Sequence, residues 1–274
     1  MTVESKLQRR VQRYGWDLAA SSYEMLWETQ LKCVQTELMR LAALLPGESV
    51  LDVASGTGLI SMRAAQAILP DGKVTGVDLS GNMVDIARQR AVNQNLKNTR
   101  FIRMDAENLD FNNATFDVVL CALGLMYFPD PERAMREICR VLRPGGRMVV
   151  AVWGERSACG WASIFSIVDA EVSSEVCPLF FRLGQNGALQ RSCEDAGLRD
   201  VHQRRISTKL NYENADEACN AAFTGGPMAL AWSKFEEVVK QRVRLQYLVS
   251  IEQWRSGITY AVPGEFLVAS ATAA

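Results

Sequence analysis

The sequence predicts an α/β protein on a Rossmann-like, doubly wound, mostly parallel seven-stranded sheet, with N-terminal helices and a helical insertion or lid. Three observations carry this. Short apolar runs alternate with helix-period segments between Ser49 and Trp153, the pattern of βαβ units with both sheet faces covered. Chain breakers separate them: Pro46-Gly47, "LPDG" at 69–72 and "RPGG" at 143–146. Aspartates Asp52, Asp78 and Asp105 stand at the ends of the first three runs, where an open α/β sheet presents its ligand site.

The elements follow in order. Apolar residues at 31, 34, 38, 41 and 45 predict a helix over Leu31–Leu45, stopped by Pro46-Gly47. The aromatic-rich "YGWDLAASSYEMLWE" ahead of it predicts a further helix or an ordered cap. "SVLDVA" predicts a strand and Thr57–Ile68 a helix. "KVTGVDL" predicts a strand and "NMVDIARQRAVNQ" a helix. "TRFIRMD" and "FDVVLCALGL" predict strands, and "PERAMREICRVL" a helix entered through Asp130-Pro131, an N-cap with proline at the first helical position. "GRMVVAVW" closes the alternation.

After Trp153 the pattern changes. Glu155–Gly187 mixes aromatic and small residues without alternation. "ALQRSCEDAGLRDV" predicts a helix leading to a strand near Val201–Ile206. A helical stretch covers roughly Ala215–Arg255, and "ITYAVPGEFLVASATA" predicts a final strand or hairpin. With no repeat or low-complexity linker, one domain is expected over 1–274: a helical cap (1–47), a ligand-binding core (48–154), and a lid insertion with C-terminal strands (155–274).

Composition narrows the function. Charged residues make up 22% and the formal net charge is −1, which argues against nucleic acid as a partner. No run approaches the roughly 18 apolar residues of a membrane span, and the polar, basic "MTVESKLQRRVQRYGW" is not a secretory signal. Seven cysteines are scattered without a C-x-x-C pair. That pattern predicts no zinc site, no disulfide framework and a reduced, cytoplasmic setting. The single histidine, His202, cannot build a histidine-based metal site, so no metal is expected.

The turn after the first strand holds Gly56 and Gly58, and Asp78 follows Gly56 by 22 residues, placed for ribose hydroxyls. A dinucleotide fold shows the same turn and acid. Here the order is G-x-G-x-x-S, because Ser61 stands where a third glycine would be. Asp52 also sits in the approach to the loop. A carboxylate there repels a pyrophosphate and favours a cationic, nucleoside-like ligand.

"VLDVASGTG", "VTGVDLSGNM", "FIRMDAENLDF" and "FDVVLCALGLMYFPDPERAMREICRVLRPGGRMVVAVWG" resemble, in order, the motifs of class I S-adenosylmethionine-dependent methyltransferases. They are most similar to the small-molecule group that includes the quinone-biosynthesis C-methyltransferases. The resemblance covers about Ser49–Gly154. It implies S-adenosylmethionine as cofactor, a small-molecule methyl acceptor as partner, and roles by position. Ala54 (in place of a usual glycine), Gly56 and Gly58 let the backbone approach the cofactor, and Asp52 supports the loop and the ammonium end. Asp78, followed by Leu79, binds the ribose, with Met83 against the adenine. Asp105 meets the adenine amino group and Ala106 offers an amide. Cys121 and Leu123 lie near the methionine part. The quinone enzymes usually carry G-[LIF]-R-N after the fourth strand. Here "GLMY" places Met126 and Tyr127 instead, which counts against a quinone-precursor acceptor. Tyr23, Met126, Tyr127 and Trp153 are candidate acceptor contacts, and Trp161, Phe165, Phe180 and Phe181 suggest an apolar or aromatic acceptor under a lid.

Methyl transfer from a sulfonium is an in-line displacement that needs alignment and water exclusion, not a triad or metal. Tyr127, Tyr23 and His202 are candidate bases; the sequence selects none, and it sets no oligomeric state. Plainer readings compete. Met83, Cys121 and the lid aromatics also fit as core. His202 fits an edge strand, and Arg133, Arg136, Arg140 and Arg143 fit a solvated helix face. The functional alternatives are a nicotinamide-dependent oxidoreductase and a cofactor-binding protein that transfers no methyl group.

Overall fold

The computed structural model describes residues 3–172 and 177–274, with side chains from residue 6 onward. Met1 and Thr2 of the expected cap and 173–176 of the expected lid insertion lie outside the described residues. The chain opens with one long helix, α1 (Val3–Ala42). The two segments expected there are joined because nothing between them breaks a helix: no proline occurs and the lone glycine is Gly15. Ala43 in the left-handed region, followed by Pro46 and Gly47, ends it.

Then come β1 (Ser49–Val53), α2 (Leu59–Ala67), β2 (Lys73–Asp78), α3 (Gly81–Asn93), β3 (Thr99–Arg103), β4 (Phe116–Ala122), α4 (Pro131–Val141) and β5 (Leu142–Trp153). Asp130 caps α4 by accepting from the Arg133 amide at 2.9 Å, and Ser80 caps α3 by accepting from the Met83 amide at 3.1 Å. The remainder is α5 (Ser163–Val172), α6 (Ala188–Asp195), β6 (Leu198–Tyr212), α7 (Ala215–Phe223), α8 (Ala229–Lys234), α9 (Glu237–Ile251), β7 (Arg255–Ser256) and β8 (Thr259–Ala273). The single helical stretch expected over Ala215–Arg255 is three helices. Gly225-Gly226-Pro227 interrupts it first, and an extended Phe235-Glu236 interrupts it again. The strand expected near Val201–Ile206 is more than twice as long.

The main path of the sheet is β3-β2-β1-β4-β5-β8-β6, with β7 on β8. The first five strands are parallel; β8 is antiparallel to β5, and β6 to β8. Chain order reverses between β1 and β4, so their carboxyl ends open a crevice. Val118–Cys121 and Met148–Val152 are fully buried, as central parallel strands must be. β6 is an edge strand and carries His202, exposed, opposite Ser270. Helix α1 packs across β4, β5, β8 and β6. Among the described residues no helix is long and apolar enough to cross a membrane.

Arg140 donates to Glu137 and to the carbonyls of Leu109 and Phe111, and Arg143 pairs with Asp117. The basic stripe of α4 is thus partly spent within the fold.

Candidate active site

The crevice begins with two backbone conformations. Ala54, just after β1, and Leu123, just after β4, both take positive φ, 56° and 63°. Each costs a non-glycine residue about 1–2 kcal/mol, and such strain clusters at functional sites. The two turns touch: a Cβ on Gly124 would lie 2.4 Å from that of Ala54, so only glycine fits there. Gly56 (φ 54°) has nothing within 4 Å of where its Cβ would be, so the loop faces open space.

Asp78 anchors this loop. Its carboxylate accepts from the Gly56 amide at 2.8 Å and the Ser80 amide at 2.8 Å. Burial pushes its pKa up to about 6 against those bonds, with Asp17 nearby adding to the rise. Asp52 is also buried. Its carboxylate accepts from Ser61 Oγ at 2.5 Å, tying α2 to β1. Burial raises its pKa to about 7; the Ser61 bond opposes this and Asp78 adds to it. Ser61, the departure from the dinucleotide pattern, is the partner of that acid. Asp105 pairs with Arg9 of α1 (2.8 Å), and Arg9 also pairs with Glu107. Glu107 is nearly buried and accepts from the Asp130 amide at 3.1 Å.

These residues enclose a first cavity of roughly 750 Å³. It brings together Ala54, Gly56, Asp78, Leu79, Met83, Asp105, Ala106, Tyr23 and Tyr127. A side chamber of about 310 Å³ shares Tyr23, Ala54, Gly56 and Ala122 with it and adds Asp52, Gln35, Ser55 and Thr57. Ser55 Oγ and Thr57 Oγ1 are buried there without hydrogen-bond partners. Three candidates lie elsewhere. Gly58 (φ 84°) starts α2 against Met62, Ala87 and Phe101. Cys121 is fully buried in β4, its thiol pushed up to about 12 by burial, and Met126 is buried core.

A second cavity, about 420 Å³, adjoins the first at Tyr127, which lines both. Trp153 lines it, together with Trp27, Trp161, Phe165, Phe180, Tyr212 and Tyr247. Trp161 stands 4.6 Å from Trp153 and 5.7 Å from Phe180, centroid to centroid. These lid aromatics are therefore core and cavity wall at once, and Phe181 packs behind them. Burial holds the Tyr23 and Tyr127 hydroxyls well above their ordinary pKa. Neither ionises near neutral pH, and His202 lines neither cavity.

Sequence reasoning missed what α1 brings. Arg9, Gln12 and Trp16 roof the first cavity with Tyr23, and Trp27 enters the second. The signal was present: residues 9, 12, 16, 23 and 27 share one helix face with Leu31, Val34 and Leu38. Tyr212 and Tyr247 carried no local signal.

A family profile described as "Methyltransferase domain" matches residues 44–177. A demethylmenaquinone methyltransferase of Listeria monocytogenes is 36% identical over 130 residues, 47% of this chain and 55% of the relative. The chain thus spans about half the length of the curated relatives it matches. In structure, a methyltransferase of Bacillus halodurans aligns with TM-score 0.61 at 21% identity, over 87% of this chain and 97% of the other. A Haemonchus contortus phosphoethanolamine N-methyltransferase, solved with phosphomonomethylethanolamine and S-adenosylhomocysteine, aligns with TM-score 0.59 at 17% identity, over 94% and 58%. The expected Rossmann-like fold is the one observed, and these matches do not favour the nicotinamide alternative. Residues 44–177 form a methyltransferase domain of the class I, S-adenosylmethionine-dependent type.

Proposed function

We propose that this class I methyltransferase domain transfers the methyl group of S-adenosylmethionine to a small, apolar or aromatic acceptor by in-line displacement. One observation carries the proposal: an acid-lined cavity at the strand ends and an aromatic cavity meet at Tyr127. The chain as a whole, cap and lid segment included, acts as one domain on this reading. A continuous hydrophobic core running from α1 to β8 supports that.

The first cavity fits the cofactor on its own chemistry. Two buried carboxylates, Asp52 and Asp78, have no cation beside them in the contacts that fix them, and each holds a raised pKa. A cationic ligand relieves that cost. Ser55 and Thr57 supply unspent hydroxyls in the side chamber, suited to the carboxylate of an amino-acid moiety. Asp78 would take the ribose, Met83 and Ala106 the adenine ring, Asp105 its amino group, Ala54 and Gly56 the close backbone approach, and Asp52 the ammonium end. When bound, the cofactor supplies an activated methyl group on a sulfonium. The chain positions and excludes water. Trp16 and Tyr23 close the roof, and Tyr127 stands edge-on to both Trp16 and Phe180 (5.0 and 5.4 Å), fixing the passage between the cavities.

The tyrosines stay protonated, so they orient by donating hydrogen bonds and do not abstract a proton. The acceptor then supplies its own nucleophilic atom. A quinone precursor, named for the relatives, is not carried over: Tyr127 and buried Met126 occupy the positions where that group has arginine and asparagine. A cytoplasmic setting belongs to the proposal, supported by seven cysteines that are all free thiols. Incubating the protein with methyl-labelled S-adenosylmethionine and a panel of neutral aromatic acceptors should yield acceptor-dependent S-adenosylhomocysteine. Absence of binding by either cofactor form overturns the proposal.

A further inference from the structure

The wall of the second cavity contains no charged side chain. It does contain four polar groups with nothing to bond. The indole Nε1–H of Trp161 is buried without a partner. The hydroxyls of Tyr127, Tyr212 and Tyr247 make no hydrogen bond to any described residue. Buried polar groups are nearly always paired, and an unpaired one costs about 1–3 kcal/mol. Four unspent groups around one void are therefore a pattern to be completed by a ligand.

Their placement says what kind. Tyr127 stands at the mouth toward the first cavity. Tyr212 and Tyr247 are neighbours that raise each other's cost of ionising, on β6 and α9. Burial holds all three hydroxyls neutral. A carboxylate, phosphate or ammonium group would enter this wall with no counter-charge, at a cost far above that of a neutral oxygen. Aromatic faces, by contrast, suit a flat ring.

We infer that the second cavity binds a neutral, ring-bearing molecule carrying oxygen at both ends. One oxygen faces Tyr127 and the other the Tyr212–Tyr247 pair, with Trp161 as a further donor. The inference rests on the proposed function in taking this molecule as the methyl acceptor. The recognition itself belongs to the cavity. Tyr212, Tyr247 and Trp161 are positioning residues, since they stand at the far end from the cofactor cavity.

Calorimetric titration tests this with five probes on the full chain: naphthalene, naphthol, a naphthalenediol with hydroxyls on opposite rings, naphthoate, and phenyltrimethylammonium. The diol should bind about tenfold tighter than naphthalene, with naphthol between. Naphthoate should bind at least tenfold more weakly than naphthol. Tyr212→Phe with Tyr247→Phe should bring the diol to the level of naphthol and leave naphthalene unchanged. Three results overturn the inference: naphthoate equal to naphthol, the diol no tighter than naphthalene, or phenyltrimethylammonium tightest of all, which marks a cation cage. If the double variant does not fold, the ranking on the unaltered chain decides. Titrations run with and without S-adenosylhomocysteine. Its failure to bind strikes the cofactor assignment, whereas the ranking without it still judges the cavity.

Discussion

The two cavities are built in opposite ways. The first takes nearly all its acids from the ends of consecutive strands: Asp52 after β1, Asp78 at the end of β2, Asp105 after β3. The second gathers one or two residues each from α1, β5, α5, β6 and α9. The first is polar and strained, with Ala54 and Leu123 at positive φ; the second is aromatic and uncharged. Binding a cofactor of fixed shape and charge suits a site made by topology. Choosing an acceptor suits a site assembled from elements that vary independently.

The largest expected effect separates them by stability. Trp161→Ala removes an indole packed on Trp153, Phe165, Phe180 and Phe181. It should cost roughly 3 kcal/mol or more in denaturant unfolding, yet leave cofactor affinity within about twofold. A matching collapse of cofactor binding would merge the two cavities into one unit. Next, Asp78→Ala should weaken S-adenosylmethionine binding by tenfold or so in calorimetry, with aromatic probes of the second cavity unaffected. Unchanged cofactor affinity would remove the ribose from Asp78.

A smaller effect follows pH. The carboxyls of Asp78 and Asp52 sit near about 6 and about 7 against an ordinary 3.8. Between about pH 4 and 7 the folded chain therefore holds more protons than the unfolded one, and stability falls as pH rises through that window. Thermal scans without ligand should show the melting temperature dropping from about pH 5 to 8 and then levelling. Asp52→Asn should remove the upper part of the drop. A cationic cofactor prefers the ionised acids, so its affinity should climb over the same window; a flat profile would deny the acids contact with it. The smallest effect belongs to the strained turn. Ala54→Gly relieves a positive φ at the cost of backbone freedom, and should stabilise by about 1 kcal/mol or less.

The same contrast explains what the sequence could tell. Alternating apolar runs made β1 to β5 legible, because parallel strands buried on both faces read as unbroken Val, Leu and Ile. Asp78 and Asp105 were legible because strand-end acids fall at fixed distances from the glycine turn. Arg9 was not, since its partners Asp105 and Glu107 lie nearly a hundred residues away. Tyr212 and Tyr247 were not, since one stands at the end of an edge strand and the other inside a helix. Cys121 and Met126 show the opposite error. Position in a motif placed them at the site, but a β-strand alternates its side chains between faces, and the helical turn after β4 puts Met126 into the core and Tyr127 into the cavities.

Strand β6 carries a different consequence. It runs for fifteen residues along one border of the sheet, paired on one side only. A long open border of that kind is a template on which other chains polymerise. Here Arg199, His202, Arg204, Arg205 and Lys209 crowd it, and the register slips between Arg199 and His202 where Asp200 turns to positive φ. Cations and an irregularity at the same place keep a second strand from adding. The segment that supplies Tyr212 to the acceptor cavity is thus also the one that guards the protein against fibrillar self-association.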